Sequence, residues 1–150
     1  MANINLQVVR GDTLLLRFRF RNSVTKLPID ITDWKFYLTF KPDLALPDTS
    51  SSVIQQIFDL SVADPNLLKV TSLDAPNGDV TVRLGPEKTT LFQSGRKYSW
   101  DMQRVIEIVE TVALVDTVVG HDVFTYAQGQ ATVVVDSTLT YAANPIGTVL

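Results

Sequence analysis

The chain has no cysteine among its 150 residues. This absence excludes a disulfide framework, a thiolate metal site and a cysteine nucleophile, and it fits a protein made in a reducing cytoplasm. A basic excess is also missing, since the formal net charge is −3 and the isoelectric point is near 5.0. Proteins that neutralise phosphates usually carry a strong basic excess, so we expect no nucleic-acid partner.

No uninterrupted apolar run is long enough to cross a membrane. The most apolar stretch, residues 105–119, is interrupted by Glu107, Glu110 and Asp116, whereas a spanning helix needs about 20 mostly apolar residues. The sequence shows no signal peptide and no Asn-x-Ser/Thr acceptor. We therefore expect no membrane partner and no secreted glycoprotein.

Motifs that carry catalysis are missing as well. There is no Gly-x-Ser-x-Gly elbow, no phosphate-binding glycine loop and no His-Glu-x-x-His pair. The single histidine, His121, follows Gly120 at the tip of a predicted hairpin, where a solvated turn residue is the favoured interpretation. We expect a protein that is not an enzyme and that holds no cofactor.

Four aspartates allow a carboxylate pair or a calcium site to be imagined. Asp30 and Asp33 precede a predicted strand, and Asp12 and Asp101 could lie at neighbouring strand ends. The spacing matches no known calcium loop. Aspartate and threonine before a strand more often cap a turn with their side-chain oxygens, so we predict no metal site.

What the sequence does contain is alternation of apolar and polar residues, the period-2 pattern of strands with one buried face. With 45% hydrophobic and 19% charged residues, the chain has the composition of one packed domain. Helical periodicity is nearly absent. The predicted strands cover residues 4–9, 14–21, 34–41, 53–60, 67–72, 80–84, 97–109 and paired strands within 105–136 that turn near Gly120.

Eight or nine short strands with turns between them predict an all-β fold, an antiparallel β-sandwich with Greek-key connections. The spacing of Leu91, Gly95 and Tyr98 before a strand indicates an immunoglobulin-like sandwich, because it is typical of a tyrosine corner. Trp34 is expected on an inner face opposite Trp100. We predict this domain over residues 1–138, with an extended hairpin before the last core strand, and a C-terminal tail over residues 139–150.

The segment "VVRGDTLLLRFRFRN" combines two features of interest. Arg10-Gly11-Asp12 is interpreted as the tight turn between the first two strands, because glycine permits unusual φ and aspartate caps turns, and not as an adhesion motif. Arg17, Arg19 and Arg21 point to one side of the second strand. Three alternatives remain for this row: a solvated sheet face neutralised by acids on adjacent strands, a subunit interface, or nucleic acid, which the acidic total charge disfavours.

Several segments taken in order resemble a known family. They are "INLQVVRGDTLLLRFRFRNSVTKLPIDITDWKFYLTFK", "GDVTVRL", "GRKYSWDMQ" and "FTYAQGQATVVVDST". Together, over about residues 4–138, they resemble small β-sandwich modules of tailed-bacteriophage structural proteins. These include baseplate, tail and tail-fibre-attachment proteins and the N-terminal immunoglobulin-like module of baseplate upper proteins. Two departures are Asp33, where the family usually has glycine, and a longer hairpin over residues 105–128, which could be a contact surface private to this protein.

The resemblance implies a non-enzymatic virion structural protein of the tail, baseplate or fibre-attachment apparatus, located in the virion after synthesis in the host cytoplasm. Capsid decoration is one alternative, and a module that binds carbohydrate or a host receptor is another. Expected partners are other virion proteins and copies of the same chain. We predict an oligomer whose subunit interface includes the arginine row and the apolar tail, with candidate residues Arg17, Arg19, Arg21, Ile146, Val149 and Leu150.

Overall fold

The computed structural model describes residues 2–61 and 69–135. The predicted tail over residues 139–150 lies outside these residues, so the division of the chain at residue 138 stays a prediction. The strands are β1 (Ala2–Asn3), β2 (Leu6–Arg10), β3 (Leu14–Arg19), β4 (Lys35–Lys41), β5 (Ile54–Asp59), β6 (Val70–Asp74), β7 (Asp79–Leu84), β8 (Lys97–Val112) and β9 (Val115–Val135), with one short helix, α1 (Pro86–Thr89).

The strands form two sheets, as an all-β sandwich requires. The larger sheet has the order β1-β9-β8-β4-β5, with β2 also pairing with β9, and the smaller sheet has the order β3-β7-β6. This alternation between sheets is the Greek-key connectivity of an immunoglobulin-like fold. The pairings are antiparallel except at one edge, where β1 and β2 run parallel to β9.

The core lies between the sheets because alternate side chains of each strand point to the same face. On β4 the buried row is Phe36, Leu38 and Phe40. Tyr98, Trp100 and Met102 on β8 lie beside this row in the same sheet, and Val80, Val82 and Leu84 on β7 face it from the smaller sheet. Trp34 is only partly buried against this core, whereas Trp100 is buried as expected.

The predicted tyrosine corner is present at the start of β8. The hydroxyl oxygen of Tyr98 accepts a hydrogen bond from the backbone N–H of Gln93 at 3.0 Å, five residues upstream. The ring of Phe92 packs edge-on against Tyr98, with centroids 4.9 Å apart. The corner therefore fixes the connection from α1 into β8.

The chain before β2 is held by the indole of Trp100. Its Nε1–H donates to the carbonyl oxygen of Ile4 at 2.9 Å, and the N–H of Ile4 donates to the carbonyl oxygen of Gln128 at 2.8 Å. Gly129, the partner of Trp100 across the sheet, lies directly beneath this carbonyl. A side chain at position 129 would occupy the same space, which explains the glycine before the last core segment.

The predicted turn near Gly120 is wrong. β8 and β9 continue past it to a two-residue turn at Ala113-Leu114, where φ is 52° and 67°. Positive φ at both positions is the geometry of a type I′ turn. Gly120 pairs with Ile108 within the hairpin, and His121 pairs with Glu107, so His121 is an exposed strand residue and not a turn residue.

Candidate functional site

The predicted arginine row lies on the outer side of the smaller sheet. Arg17 and Arg19 alternate with inward-facing residues of β3, and their side chains are 55% and 56% exposed. Arg19 pairs across the sheet with Asp79, the first residue of β7. Because Asp79 lies opposite Arg19, its carboxylate is within reach of Arg17 and Arg21, which lie two residues before and two residues after Arg19.

All three guanidinium groups converge on this one carboxylate. Arg17 Nη2 is 3.5 Å from Asp79 Oδ2, while Arg19 Nε and Arg21 Nη2 are 3.5 and 3.7 Å from Oδ1. Oδ1 is buried and has no hydrogen-bond partner, so these contacts are electrostatic. Asp74 is the cross-strand partner of Asp79 on β6 and shares this face, so three guanidinium groups lie beside two carboxylates and the surface keeps a positive excess. We call the outer side of β3 and β7, formed by Leu15, Arg17, Arg19, Arg21 and Asp79, the arginine face.

This geometry agrees with neutralisation by an acid on an adjacent strand, though one carboxylate neutralises only part of the row. The subunit-interface role of the row stays a prediction. The other predicted interface residues, Ile146, Val149 and Leu150, lie outside the described residues. The sequence pattern alone does not identify Asp79 as this acid, because the identification depends on the pairing of β3 with β7 and on its register.

The hairpin of β8 and β9 extends beyond the sandwich. The pairing of β4 with β8 ends at Arg104, and β1 pairs with β9 only from Ala127 onward. We call residues 105–123 the arm, a two-stranded ribbon about 26 Å long at about 3.3 Å per residue. Its exposed large apolar residues are Ile108, Val109, Val112, Leu114, Val115, Val118, Val119 and Val123.

Both faces of the arm carry apolar residues between polar ones. Cross-strand partners share a face, and on one face the apolar pairs Val105–Val123 and Val109–Val118 alternate with Glu107–His121 and Thr111–Asp116. The opposite face carries Ile106, Ile108 and the pair Val112–Val115, together with Glu110 and Asp122. An isolated two-stranded hairpin is at best marginally stable in water, and large exposed apolar side chains rimmed by polar residues are typical of an interaction surface.

An aromatic cluster anchors the base of the arm. Trp34 contacts Phe20, Phe36 and Tyr126 with centroid distances of 5.3 to 5.8 Å within the group. The guanidinium of Arg104 lies over the Trp34 ring at 3.7 Å, a cation–π contact. The pairing register of β8 with β9 shifts between Met102, which pairs with Ala127, and Gln103, which pairs with Thr125. Tyr126 is therefore the extra residue of a β-bulge, and its ring packs in the aromatic cluster.

A cavity of about 270 Å³, lined mainly by residues with polar side chains, lies on the outer side of the larger sheet. Its floor includes the half-buried carboxyl of Asp101, whose Oδ1 has no hydrogen-bond partner. Burial raises the pKa of Asp101, the negative charge of Asp48 acts in the same direction, and Lys41 opposes both. The Asp101 carboxyl can accept hydrogen bonds from a hydroxyl or amide group of a ligand. The side chains of Thr39 and Gln128, which also line the cavity, can do the same.

The imagined aspartate cluster does not form. Among residues 2–61 and 69–135, no group of three or more His, Cys, Asp or Glu could hold a metal ion. Asp30 instead caps a turn, accepting hydrogen bonds from the N–H and hydroxyl of Thr32, and these bonds lower the pKa of Asp30. Asp33 has φ of 62°, which explains why glycine suits this position.

The Arg10-Gly11-Asp12 segment is a turn, as the sequence predicts. Gly11 has φ of 92°, and the N–H of Asp12 donates to the carbonyl oxygen of Val9 at 3.1 Å. Arg10 Nε donates to the carbonyl oxygen of Phe92 at 3.0 Å, and Gly11 N–H donates to Thr89 Oγ1 at 3.2 Å. The tripeptide therefore ties the β2–β3 turn to the region around α1.

Comparisons with known proteins give limited information. No protein-family model and no curated protein matches the chain. Among solved structures, the N-terminal domain of phage TP901-1 ORF48 is similar with a TM-score of 0.41 and 10% identity, covering 89% of this chain and 85% of that one. The NK cell receptor Nkp44 is similar with a TM-score of 0.34 and 16% identity, covering 91% and 99%. Neither value is high enough to support an argument about function.

Within the described residues, no helix has the length and apolar content needed to span a membrane.

Proposed function

We propose that the chain is a non-enzymatic assembly module of a bacteriophage virion, working in the tail, baseplate or fibre-attachment apparatus. The observation that carries the assembly role is the arm, which presents apolar residues on both faces along its length of about 26 Å. A sandwich that only had to fold would gain nothing from this surface. Contact with partner proteins would remove it from water, and apolar burial drives association.

The virion setting is supported by the order of sequence segments that resemble phage structural modules. One of their features has a physical counterpart in the structure, because the position at which the family usually has glycine is held here by Asp33 with positive φ. A second is the glycine of the last segment, Gly129, which lies beneath the Ile4 carbonyl. Both positions constrain the backbone.

The test is to purify particles of the phage that encodes the chain and to quantify the protein in them by mass spectrometry. A shortened variant replaces residues 107–121 by Asn-Gly, which joins Ile106 to Asp122 through a type I′ turn. We expect the shortened chain to fold but to be lost from particles. The matched control, Ala113→Asn with Leu114→Gly, places the same turn at the tip of a full-length arm and should be incorporated.

Absence of the wild-type chain from purified particles would refute the virion role. Normal incorporation of the shortened chain would show that the arm is not the assembly element. Tail-less particles distinguish capsid decoration from a position in the tail or baseplate, because a decorating protein stays with isolated heads and a tail component does not.

A second candidate function, recognition of a polar ligand such as a carbohydrate, is favoured by the cavity around Asp101. Its half-buried carboxyl and nearby Gln128 and Thr39 offer hydrogen-bonding groups. The indole N–H of Trp100 is already bonded to Ile4 and is not free for a ligand. A glycan array with hits that disappear in Asp101→Asn would favour this candidate, and an array without hits would remove it.

A further inference from the structure

The arm carries charge of a single sign. Its ionised residues are Glu107, Glu110, Asp116 and Asp122, and no lysine or arginine occurs between residues 105 and 123. All four carboxylates are on exposed residues. The arm is thus both apolar and acidic, and any surface that covers it must supply apolar contact together with positive charge.

The arginine face of the same chain has these properties. Three guanidinium groups share one carboxylate there, and Leu15 in the same outward row is 57% exposed. No ion pair joins the arm to the arginine face within the part of the chain that the structure describes. The two surfaces are complementary and are not satisfied by each other in one copy.

The carboxylates of the arm are spread along one of its faces. Glu107 and Thr111 share a face of β8, and Asp116 pairs with Thr111, so the Glu107 and Asp116 carboxylates lie four rungs apart, about 13 Å at about 3.3 Å per residue. The guanidinium groups of the arginine face lie closer together, because all three are within 4 Å of the Asp79 carboxylate.

Between those two carboxylates lies the apolar pair Val109–Val118. When the arm lies across the arginine face, this pair can pack against the aliphatic stem of an arginine side chain, which covers apolar surface while its charged head stays in water. The arrangement therefore pairs charge with charge and apolar surface with apolar surface.

We propose that the arm of one copy docks on the arginine face of a second copy, in a head-to-tail contact. Packing of arm on arm is disfavoured because it would bring eight carboxylates together, four from each copy. A head-to-tail contact uses two different surfaces, so it propagates and closes into a ring when the rotation permits. The inference rests on the proposed assembly role, and it does not depend on the virion setting.

The experiment measures self-association of the full chain by sedimentation velocity across the micromolar range, at low and at high salt. The arm variant carries Glu107→Lys and Asp116→Lys, and the face variant carries Arg17→Glu and Arg19→Glu. Each alone should weaken association by roughly tenfold or more, because like charges then meet across the contact. The combined variant, with both reversals in one chain, should restore it.

Thermal unfolding of each variant shows whether it is folded. The matched control is Lys97→Glu, a charge reversal at an exposed position in the larger sheet, at the end of β8 opposite to the arm. Restoration in the combined variant supports arm-to-face docking, because packing of arm on arm would not depend on the residues at positions 17 and 19. The proposal is overturned if wild type stays monomeric, if the single reversals leave association unchanged, or if the combined variant does not recover.

These outcomes are separable from the test of virion incorporation. A chain that is found in particles but does not respond to the reversals would keep the proposed function and lose this inference, with a different virion protein covering the arm. If the chain is absent from particles, but its self-association is lost in the single reversals and recovered in the combined variant, the inference stands and the proposed virion role does not.

Discussion

Substitution of Gly129 by alanine should separate the N-terminal edge from the larger sheet. A Cβ at this position would overlap the carbonyl oxygen of Ile4, and it would lie 2.6 Å from the Ile4 carbonyl carbon and 3.0 Å from Trp100 Nε1. Two of these three neighbours are backbone atoms and cannot rotate away. The backbone around Ile4, between β1 and β2, must therefore move.

The magnitude follows from the hydrogen bonds that this movement breaks. The Ile4 carbonyl would lose the indole N–H of Trp100, and the Ile4 N–H would lose the carbonyl of Gln128. Each bond contributes about 1 kcal/mol net, and a buried donor left without a partner costs about 1–3 kcal/mol. We expect Gly129→Ala to lower the free energy of unfolding by about 2–4 kcal/mol.

The assay is urea-induced unfolding followed by tryptophan fluorescence, with Gly120→Ala as the matched control in the same strand. A Cβ at Gly120 would meet only the Ile108 Cδ1 atom at 3.6 Å, an ordinary contact. Replacing this strand glycine should be neutral or stabilising by up to about 1 kcal/mol, because alanine restricts the unfolded chain. If both variants unfold at the same urea concentration, the steric argument for Gly129 is wrong.

Three further predictions concern single polar groups. Tyr98→Phe should cost about 1 kcal/mol of unfolding free energy in urea titrations, because the Gln93 N–H loses its acceptor; an unchanged midpoint would show that the corner contributes only packing. Asp101→Asn should stabilise the protein at neutral pH. Because the pKa of Asp101 is raised in the folded state, the free energy of unfolding of the wild type falls as pH rises from the usual aspartate range through the folded-state pKa. Urea titrations at several pH values should show this fall in the wild type and not in the variant. Asp79→Asn should leave the arginine row unneutralised, so its unfolding midpoint should fall more at low salt than at high salt; equal losses would count against charge repulsion.

The fold could be predicted from the sequence where one face of a strand is buried. β4 is an example, since alternation from Phe36 to Phe40 sets both its type and its orientation. The tyrosine corner was also predictable, because Tyr98 and the residues before it form a local motif. These features depend on short-range patterns that a single chain displays directly.

The hairpin turn could not be predicted, because Ala113 and Leu114 are not residues that favour positive φ. Gly120 gave the stronger turn signal, but the tertiary structure uses it as a strand residue opposite Ile108. The convergence of the arginines on Asp79 was equally hidden, since it depends on the pairing of β3 with β7 across 60 residues of chain. The sequence shows the arginine row directly, but the carboxylate that the three arginines share can be identified only when the register of β3 against β7 is known.

The length of β9 has a mechanical consequence for the arm. One unbroken strand runs from the arm tip at Val115 into the sandwich, where it pairs with β8 on one side and with β2 on the other. Ladder hydrogen bonds in an antiparallel pair lie perpendicular to the strands. A pull along the arm would therefore load many rungs in shear at the same time, and a sideways push would turn the strand as a lever about the Trp34 cluster. Force applied at the tip would reach the opposite edge of the domain through a single piece of backbone.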